Sequence, residues 1–407
     1  MIGHGPALTH LADFVNGYGF TGDDLDGDGI PVVRIQHLLD PSVEMDRTDL
    51  DVPQVAIQPG DLVFSWSATL AARIWDREPA LLNQHLFRVD PHSGVDRRWL
   101  KYVLDVAVDA LSGHMHGSAM THITRDMMRR VRVPFRSLQM QRAIADYLDT
   151  ETARIDALIA KKRRMIELLN ERWDRYLYDG ITGELTSPFG PMKESSIDWL
   201  GSIPAHWGTP WLGANHSTQL GKMLNSEAAV GSEQRQYLKN TNVKWDTFQL
   251  DDLPTMSFDA ADRARCHLRR GDLLVCEGGE VGRAAVWSGE PEDVYFQKAL
   301  HRVRPLGGSE PRFLMYCLWA AASLNVFAVE GSQATIVHLT GEKLREHRFP
   351  WPPISEQQKI VRLVDQFRQR TDEASRLLDE QIDRLTEHRQ ALITAAVTGE
   401  LDVSKVA

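Results

Sequence analysis

The sequence predicts an α+β chain in which two mixed α/β domains are separated by two long, antiparallel, coiled-coil-like helices, a pseudo two-fold A–B–A′–B′ repeat. Three observations carry that expectation. Sliding the 407 residues by 216 positions lays Gly180-Ile-Thr-Gly-Glu-Leu185 on Ala396-Val-Thr-Gly-Glu-Leu401. The same offset, without a gap, lays Val133–Asp149 on Phe349–Asp365, with Pro134/Pro350, Gln141/Gln357, Ile144/Ile360 and Asp149/Asp365 coinciding. An ungapped match of this length marks an internal repeat. The repeated segments also carry a helical apolar stripe, and the segments before them alternate short β-rich runs with turns.

The first A segment is assigned to 1–133. Ile30-Pro-Val-Val-Arg-Ile35 and Asp61-Leu-Val-Phe64 read as strands between Gly/Asp/Pro turns, and Trp99–Leu111 as one helix. The first B segment, 134–185, opens after Pro134 and closes at Gly180, the usual helix punctuation. Ile144, Leu148, Ile155, Ile159, Ile166, Leu169, Trp173 and Leu177 recur mostly at steps of three, four or seven, a stripe suited to a partner helix. The second A segment, 186–349, begins with the linker Ser187–Ser196 and contains the β-rich runs Leu273–Cys276 and Ala284–Trp287 and a helix over Arg312–Leu324. The second B segment, 350–407, repeats the stripe from Ile360 to Leu392 and ends near Gly399. At about forty residues, each B helix exceeds the roughly 8–20 of an ordinary globular helix. Mutual pairing is therefore expected over separate packing, the alternative.

The A segments match each other more loosely. Pro59-Gly-Asp-Leu-Val-Phe-Ser65 is similar to Arg270-Gly-Asp-Leu-Leu-Val-Cys276, and Asn83-Gln-His-Leu-Phe-Arg-Val89 to Phe296-Gln-Lys-Ala-Leu-His-Arg-Val303. Gly117–Thr124 is similar to Gly331–Thr340, with a two-residue length difference. The A domains have thus diverged while the helices have not.

Composition is ordinary for a globular chain, at 43% hydrophobic and 25% charged, which excludes a mainly disordered one. The apolar runs fall short of the roughly 18 residues a membrane span needs, and the first residues show no basic-then-apolar leader. Cys266, Cys276 and Cys317 form neither a disulfide framework nor a metal-ligand spacing. A cytoplasmic location is expected. Chemistry-bearing motifs are also missing. Asp24-Leu-Asp26-Gly-Asp28-Gly29 imitates half a calcium loop, but Ile35 stands where the bidentate Glu belongs, so it reads as a tight acidic turn. His114, His116 and His122 match no zinc spacing. Gly221-Lys222 lacks the glycine spacing and the Ser/Thr of a phosphate loop. No G-x-S-x-G elbow occurs. No catalytic residue and no metal site are assigned.

Three features together resemble the specificity (S) subunit of type I restriction–modification systems. They are Pro350-Trp-Pro-Pro-Ile-Ser-Glu-Gln357, the Thr-Gly-Glu-Leu endings at 182–185 and 398–401, and the lead-in Lys193-Glu-Ser-Ser-Ile-Asp-Trp-Leu-Gly-Ser-Ile-Pro-Ala-His-Trp207. The resemblance covers essentially the whole chain. It departs from the family at Val133-Pro-Phe-Arg-Ser-Leu-Gln-Met-Gln141, where the Pro-Pro and Glu-Gln elements are degraded, and before Leu11, where the lead-in is missing. A different docking of the first domain at its N-terminus is expected from that.

The resemblance implies a non-catalytic, DNA-reading subunit. Its two target-recognition domains would each read half of a gapped, asymmetric double-stranded DNA site. Its helices would hold two modification (methyltransferase, M) subunits, with restriction subunits added for cleavage and no membrane involved. The chain would take no cofactor, since S-adenosylmethionine would be bound by M. In agreement, the nearest sequence to an adenine-methylation [D/N/S]-P-P-[Y/F/W] motif is Trp351-Pro-Pro-Ile354. About forty residues at ~1.5 Å each make a rod of about 60 Å, against about 34–36 Å per DNA turn. Such a rod could hold two readers one to nearly two turns apart.

Candidate DNA-binding residues are basic or amide side chains near glycine-rich loops: Arg73 and His122 in the first domain, and Lys222, Lys239, Lys244, Arg283, Gln333 and His338 in the second. Lys and Arg neutralise phosphate; Arg and Gln also read base edges. Each is equally readable as a solvated or structural side chain. Two other functional classes compete: a coiled-coil assembly scaffold without DNA binding, and a self-contained methyltransferase or nuclease. The first leaves the duplicated, diverged domains unexplained, and the second demands motifs that are missing. Net charge by segment is −6 (1–133), 0 (134–190), −2 (191–349) and −2 (350–407), for −10 in all. No segment is a basic module by composition, so weak DNA binding by the chain alone and strong binding with M are expected.

Overall fold

The computed structural model describes residues 4–112, 123–186, 190–327 and 338–405. His114, His116, His122 and Gln333 lie outside the described residues. The chain forms two compact units, residues 1–163 with 378–407 and residues 164–377. Each unit therefore contains one A domain and part of both long helices. The division runs across the four sequence segments instead of along them.

In the first unit an antiparallel sheet has the strand order Ala12–Asn16, Leu86–Pro91, Leu62–Ser65, Ala72–Ile74. A second sheet has the order Arg47–Thr48, Ile30–Val33, Ala80–Leu82, Ala56–Ile57; its Ile30–Val33/Ala80–Leu82 pair is parallel. Helix Arg97–Ser112 packs its apolar face (Trp99, Leu100, Val103, Leu104) on the first sheet through Leu62, Phe64, Phe87 and Val89, all buried. Burying such side chains stabilises by roughly 1.5–3 kcal/mol each. The opposite face of the sheet, through Val63 and Leu86, shares a smaller core with Val33, Ile57 and Trp75.

The second unit repeats this plan. Its antiparallel sheet has the order His216–Leu220, Leu300–Pro305, Leu273–Cys276, Ala284–Val286. Beside it lie Thr255–Ser257, Gln234–Leu238 and Tyr295–Phe296, again with one parallel pair, Gln234–Leu238/Tyr295–Phe296. Helix Pro311–Ser323 takes the place of Arg97–Ser112. The repeat detected in the helices therefore extends, as topology, through A domains whose sequences have drifted apart.

The strand expected over Ile30–Ile35 ends at Val33, and a short helix runs from Ile35 to Leu39. The Arg34 backbone N–H donates to His37 Nδ1 (3.0 Å), a local bond that competes with the ladder. The acidic stretch forms a 3-10 turn over Gly22–Leu25, with Asp24 accepting from the backbone N–H and the hydroxyl of Thr21 (both 2.7 Å).

The long helices run Leu138–Ile181 and Ile354–Thr398, and they are antiparallel within each unit. In the first, Arg389 pairs with Asp156 (2.9 Å) and Lys162 with Gln381 (2.5 Å), so numbers rise on one helix as they fall on the other. In the second, Tyr176 stacks on Phe367 with ring centroids 4.0 Å apart, and Gly180 faces Val364 and Ile360. Of the first stripe, Ile144, Leu148, Ile155, Ile159, Trp173 and Leu177 are buried, whereas Ile166 and Leu169 are half-buried.

Candidate nucleic-acid interface

Each A domain places the same loops at one edge of its antiparallel sheet. After the first strand comes a glycine, Gly17 or Gly221, that crosses directly over a neighbouring carbonyl. A Cβ added there would stand 2.1 Å from Asn83 O or 2.3 Å from Gln297 O, so only glycine fits. The crossing is held by equivalent backbone bonds. Tyr18 N–H donates to Leu82 O (2.8 Å) and Lys222 N–H to Phe296 O (3.1 Å). The loop that leaves the third strand of each order closes the edge, with Trp66 N–H donating to His85 O (3.3 Å) and Glu277 N–H to Ala299 O (3.0 Å). The chain then returns beside it, Ile123 N–H donating to Trp66 O (2.9 Å) and Leu339 N–H to Glu277 O (2.8 Å). The two edges share a backbone and differ in side chains.

In the second unit this edge brings together Lys222, Lys239, Arg283 and His338. Lys222 lies beside Gln297 and forms an ion pair with Asp262. Burial works to raise the Asp262 carboxyl, but hydrogen bonds from Lys222 and Arg265 outweigh it and hold the carboxyl below its usual range. Lys239 is half-buried at the start of a 3-10 turn, its backbone N–H donating to Asn242 Oδ1 (2.9 Å). Arg283 donates to Glu280 Oε2 (2.8 Å) and Asn240 O (3.0 Å), which orients the loop. The exposed His338 ring sits against Gly278, whose missing side chain leaves room for it. Lys244 is on the adjoining hairpin Val243–Lys244/Thr247–Phe248. In the first unit Arg73 lies mid-strand, paired with Val63 in the strand that follows the edge loop.

Sequence reasoning missed Tyr18, Gln84 and His85 in the first unit and Gln297 and Lys298 in the second. A signal is present in the sequence, in the shared motif Asn83-Gln-His and Phe296-Gln-Lys. Gln84 and Lys298 are exposed at the loop tips, whereas the neighbouring Leu86 and Leu300 are buried in the cores. Among the described residues no cluster of three or more His, Cys, Asp and Glu could hold a metal. All three cysteines are buried, and burial pushes the Cys276 thiol up to about 11, far from a reactive thiolate. Among the described residues no helix is long and apolar enough to cross a membrane.

The family model for the type I restriction modification DNA specificity domain matches residues 12–168 and 262–384. The chain is 22% identical over 406 residues to the type I restriction enzyme EcoBI specificity subunit of Escherichia coli, covering 97% of this chain and 85% of that one. It is 23% identical over 291 residues to the StySPI specificity subunit of Salmonella potsdam, covering 67% of this chain and 58% of that protein. Among solved structures, it is similar in fold to a chain from work on complex assembly and conformational transition of the type I R-M system, with TM-score 0.66, 18% identity and 97% of both chains covered. It is similar also to the HsdS subunit from Thermoanaerobacter tengcongensis, with TM-score 0.50, 17% identity and 97% and 96% covered.

Proposed function

From the premise that the chain belongs to the type I restriction modification DNA specificity family, we propose that it reads an asymmetric, gapped duplex site and positions the enzymatic subunits on it. Each A domain reads one half of the site. The long helices set the gap and carry two methyltransferase subunits, to which restriction subunits are added. The chain contributes recognition, and its partners contribute methylation and cleavage in the cytoplasm. The candidate contacts remain Arg73, His122, Lys222, Lys239, Lys244, Arg283, Gln333 and His338.

One observation supports this reading above others: the two loop edges share their backbone hydrogen bonds while Tyr18, Gln84 and His85 on one correspond to Lys222, Lys298 and Ala299 on the other. A shared frame with divergent tips is what reading two different half-sites requires, because specificity comes from side chains at base edges and position from the backbone contacts around them. Long-read methylome mapping with and without the gene tests it. A gapped, non-palindromic methylated motif that vanishes with the gene is expected. An unchanged methylome would sink the reading.

A further inference from the structure

The two edges differ in charge as well as shape. On the second unit's edge Lys239, Lys244 and Lys298 have no carboxylate partner among the described residues. Lys298 is exposed, and its ammonium reaches only Met223 Sδ, at 3.6 Å. The matching place of Lys239 in the first unit belongs to Arg34. Both residues precede a short helical turn, and both have their backbone N–H taken by the third residue of that turn, His37 or Asn242. Arg34, however, is neutralised by Asp46 (3.0 Å). The counterpart of Lys298 is Gln84, and that of Lys222 is Tyr18, which is 39% exposed and rests edge-on against Phe20. His85 next to them meets Ser67 Oγ (3.1 Å) and the Trp66 ring. Among the described residues of 1–133, Arg34, Arg47, Arg88, Arg97, Arg98, Lys101 and Arg129 are ion-paired.

We propose that the two edges divide the work of DNA binding: Lys239, Lys244 and Lys298 neutralise phosphates at one half-site, while Tyr18 and Gln84 read the other with uncharged groups. This rests on the DNA-reading function proposed above. Each phosphate neutralised by a cation releases condensed counterions, whereas hydrogen bonds and stacking from neutral groups release none. Of the two loop edges, only the one in the second unit should therefore contribute to the salt dependence of binding.

The test uses the complex with its methyltransferase subunits and a duplex carrying the motif found by methylome mapping, with affinity measured across a salt series. Lys239→Gln, Lys244→Gln and Lys298→Gln should each reduce the slope of log K against log salt by about 0.9, and Lys298→Arg should retain it. Gln84→Ala and Tyr18→Ala should leave the slope unchanged, weaken cognate binding about 5–100-fold, and relax methylation at one half-site only. Asp46→Asn, which frees Arg34, should steepen the slope by about one phosphate. Unchanged slopes in the lysine variants, or lost slope in the Gln84 and Tyr18 variants, would overturn the division. A wild-type complex with no preference for the motif would overturn DNA reading itself, a separate and recognisable result.

Discussion

The buried Gln357 carboxamide ties the second long helix to the A-domain helix through Glu310, whose backbone N–H donates to Gln357 Oε1 at 2.8 Å. The same side chain donates from Nε2 to Pro352 O (2.8 Å) and Gly308 O (3.3 Å). In the first unit Gln141 does likewise, accepting from Asp96 N–H (2.8 Å) and donating to Arg136 O (2.8 Å) and Gly94 O (3.1 Å). One glutamine thus satisfies three backbone groups that neither helix can satisfy alone. Gln357→Leu leaves those groups unpaired, at about 1–3 kcal/mol each when buried. Since the Glu310 end is only part-buried, a total loss of roughly 2–4 kcal/mol is expected by urea unfolding of the full chain, and a similar loss for Gln141→Leu. A loss below about 1 kcal/mol in both variants would show that the amide is dispensable.

A second tie starts in the first turn of the domain helix. Arg312 forms a bidentate pair with Asp246 (2.7 Å to each oxygen) and reaches Asp365 on the long helix (2.8 Å); the Tyr316 hydroxyl donates to the same Asp365. Burial raises the Asp246 carboxyl despite the guanidinium, and burial also raises the Tyr316 hydroxyl, which stays a donor at neutral pH. Arg98, Tyr102 and Asp149 repeat the arrangement in the first unit, at 2.8 and 2.7 Å, with Asp146 in place of Asp246. Arg312→Met would leave two carboxylates facing each other without the cation that bonds both, with Arg368 acting on Asp246 only through space. It should cost about 2–4 kcal/mol, more than Asp246→Asn, which removes one of them and keeps the cation. Equal costs would mean that the charge balance is immaterial. Measuring both variants by thermal unfolding decides it.

These ties show which parts of the fold were legible in sequence. Gln141/Gln357 and Asp149/Asp365 were visible as coincidences at the 216-residue offset because one short side chain must meet a fixed backbone in each copy. The A-domain topology was only partly legible: Leu62/Leu273, Leu86/Leu300 and Val89/Val303 are retained in the sheet cores, but Phe64 is replaced by Val275 and Phe87 by His301, and strand order does not show in such matches. The site was half legible. Lys222 and Arg283 carry the charge that the sequence offers for phosphate, yet both sit in ion pairs, and pairing is set by the fold. The Gln84/Lys298 correspondence is hidden in sequence, where Gln84 falls on the identical Gln297; the equivalent backbone bonds of Leu82 and Phe296 and of His85 and Ala299 shift the register by one.

The second unit should be sensitive to mild acid. His216 opens the first strand, its Nε2 meeting Ser309 Oγ (2.9 Å) and its buried Nδ1 lacking a partner. Burial pushes the imidazole down to about 4. In the unfolded chain it titrates near 6.5, so below that pH the unfolded state binds a proton the folded state refuses. Stability is therefore full above pH ~6.5 and falls progressively toward pH ~4, by at most about 3 kcal/mol from this group. His301, buried and donating from Nε2 to Leu339 O, is shifted in the same direction. Urea midpoints at pH 7 and 5 should converge in His216→Asn relative to wild type. An identical pH dependence in the two proteins would remove His216 as a cause.

Helix length is the variable that tests the proposed spacing role. Each residue adds ~1.5 Å of helix, so four residues inserted into both helices lengthen the rod by about 6 Å, close to two base pairs at ~3.4 Å each. The insertion leaves every residue of the two loop edges in place. If the helices set the spacing, methylome mapping of such a variant should show both half-sites retained and the gap wider by one or two base pairs. The insertion also rotates one end by about 40°, because four residues exceed the 3.6 of a full turn, and DNA binding should weaken accordingly. Insertion in one helix alone breaks the antiparallel match that Asp156–Arg389 and Tyr176–Phe367 record and should abolish methylation. Altered half-sites with an unchanged gap would refute the ruler, since recognition would then depend on helix length and spacing would not.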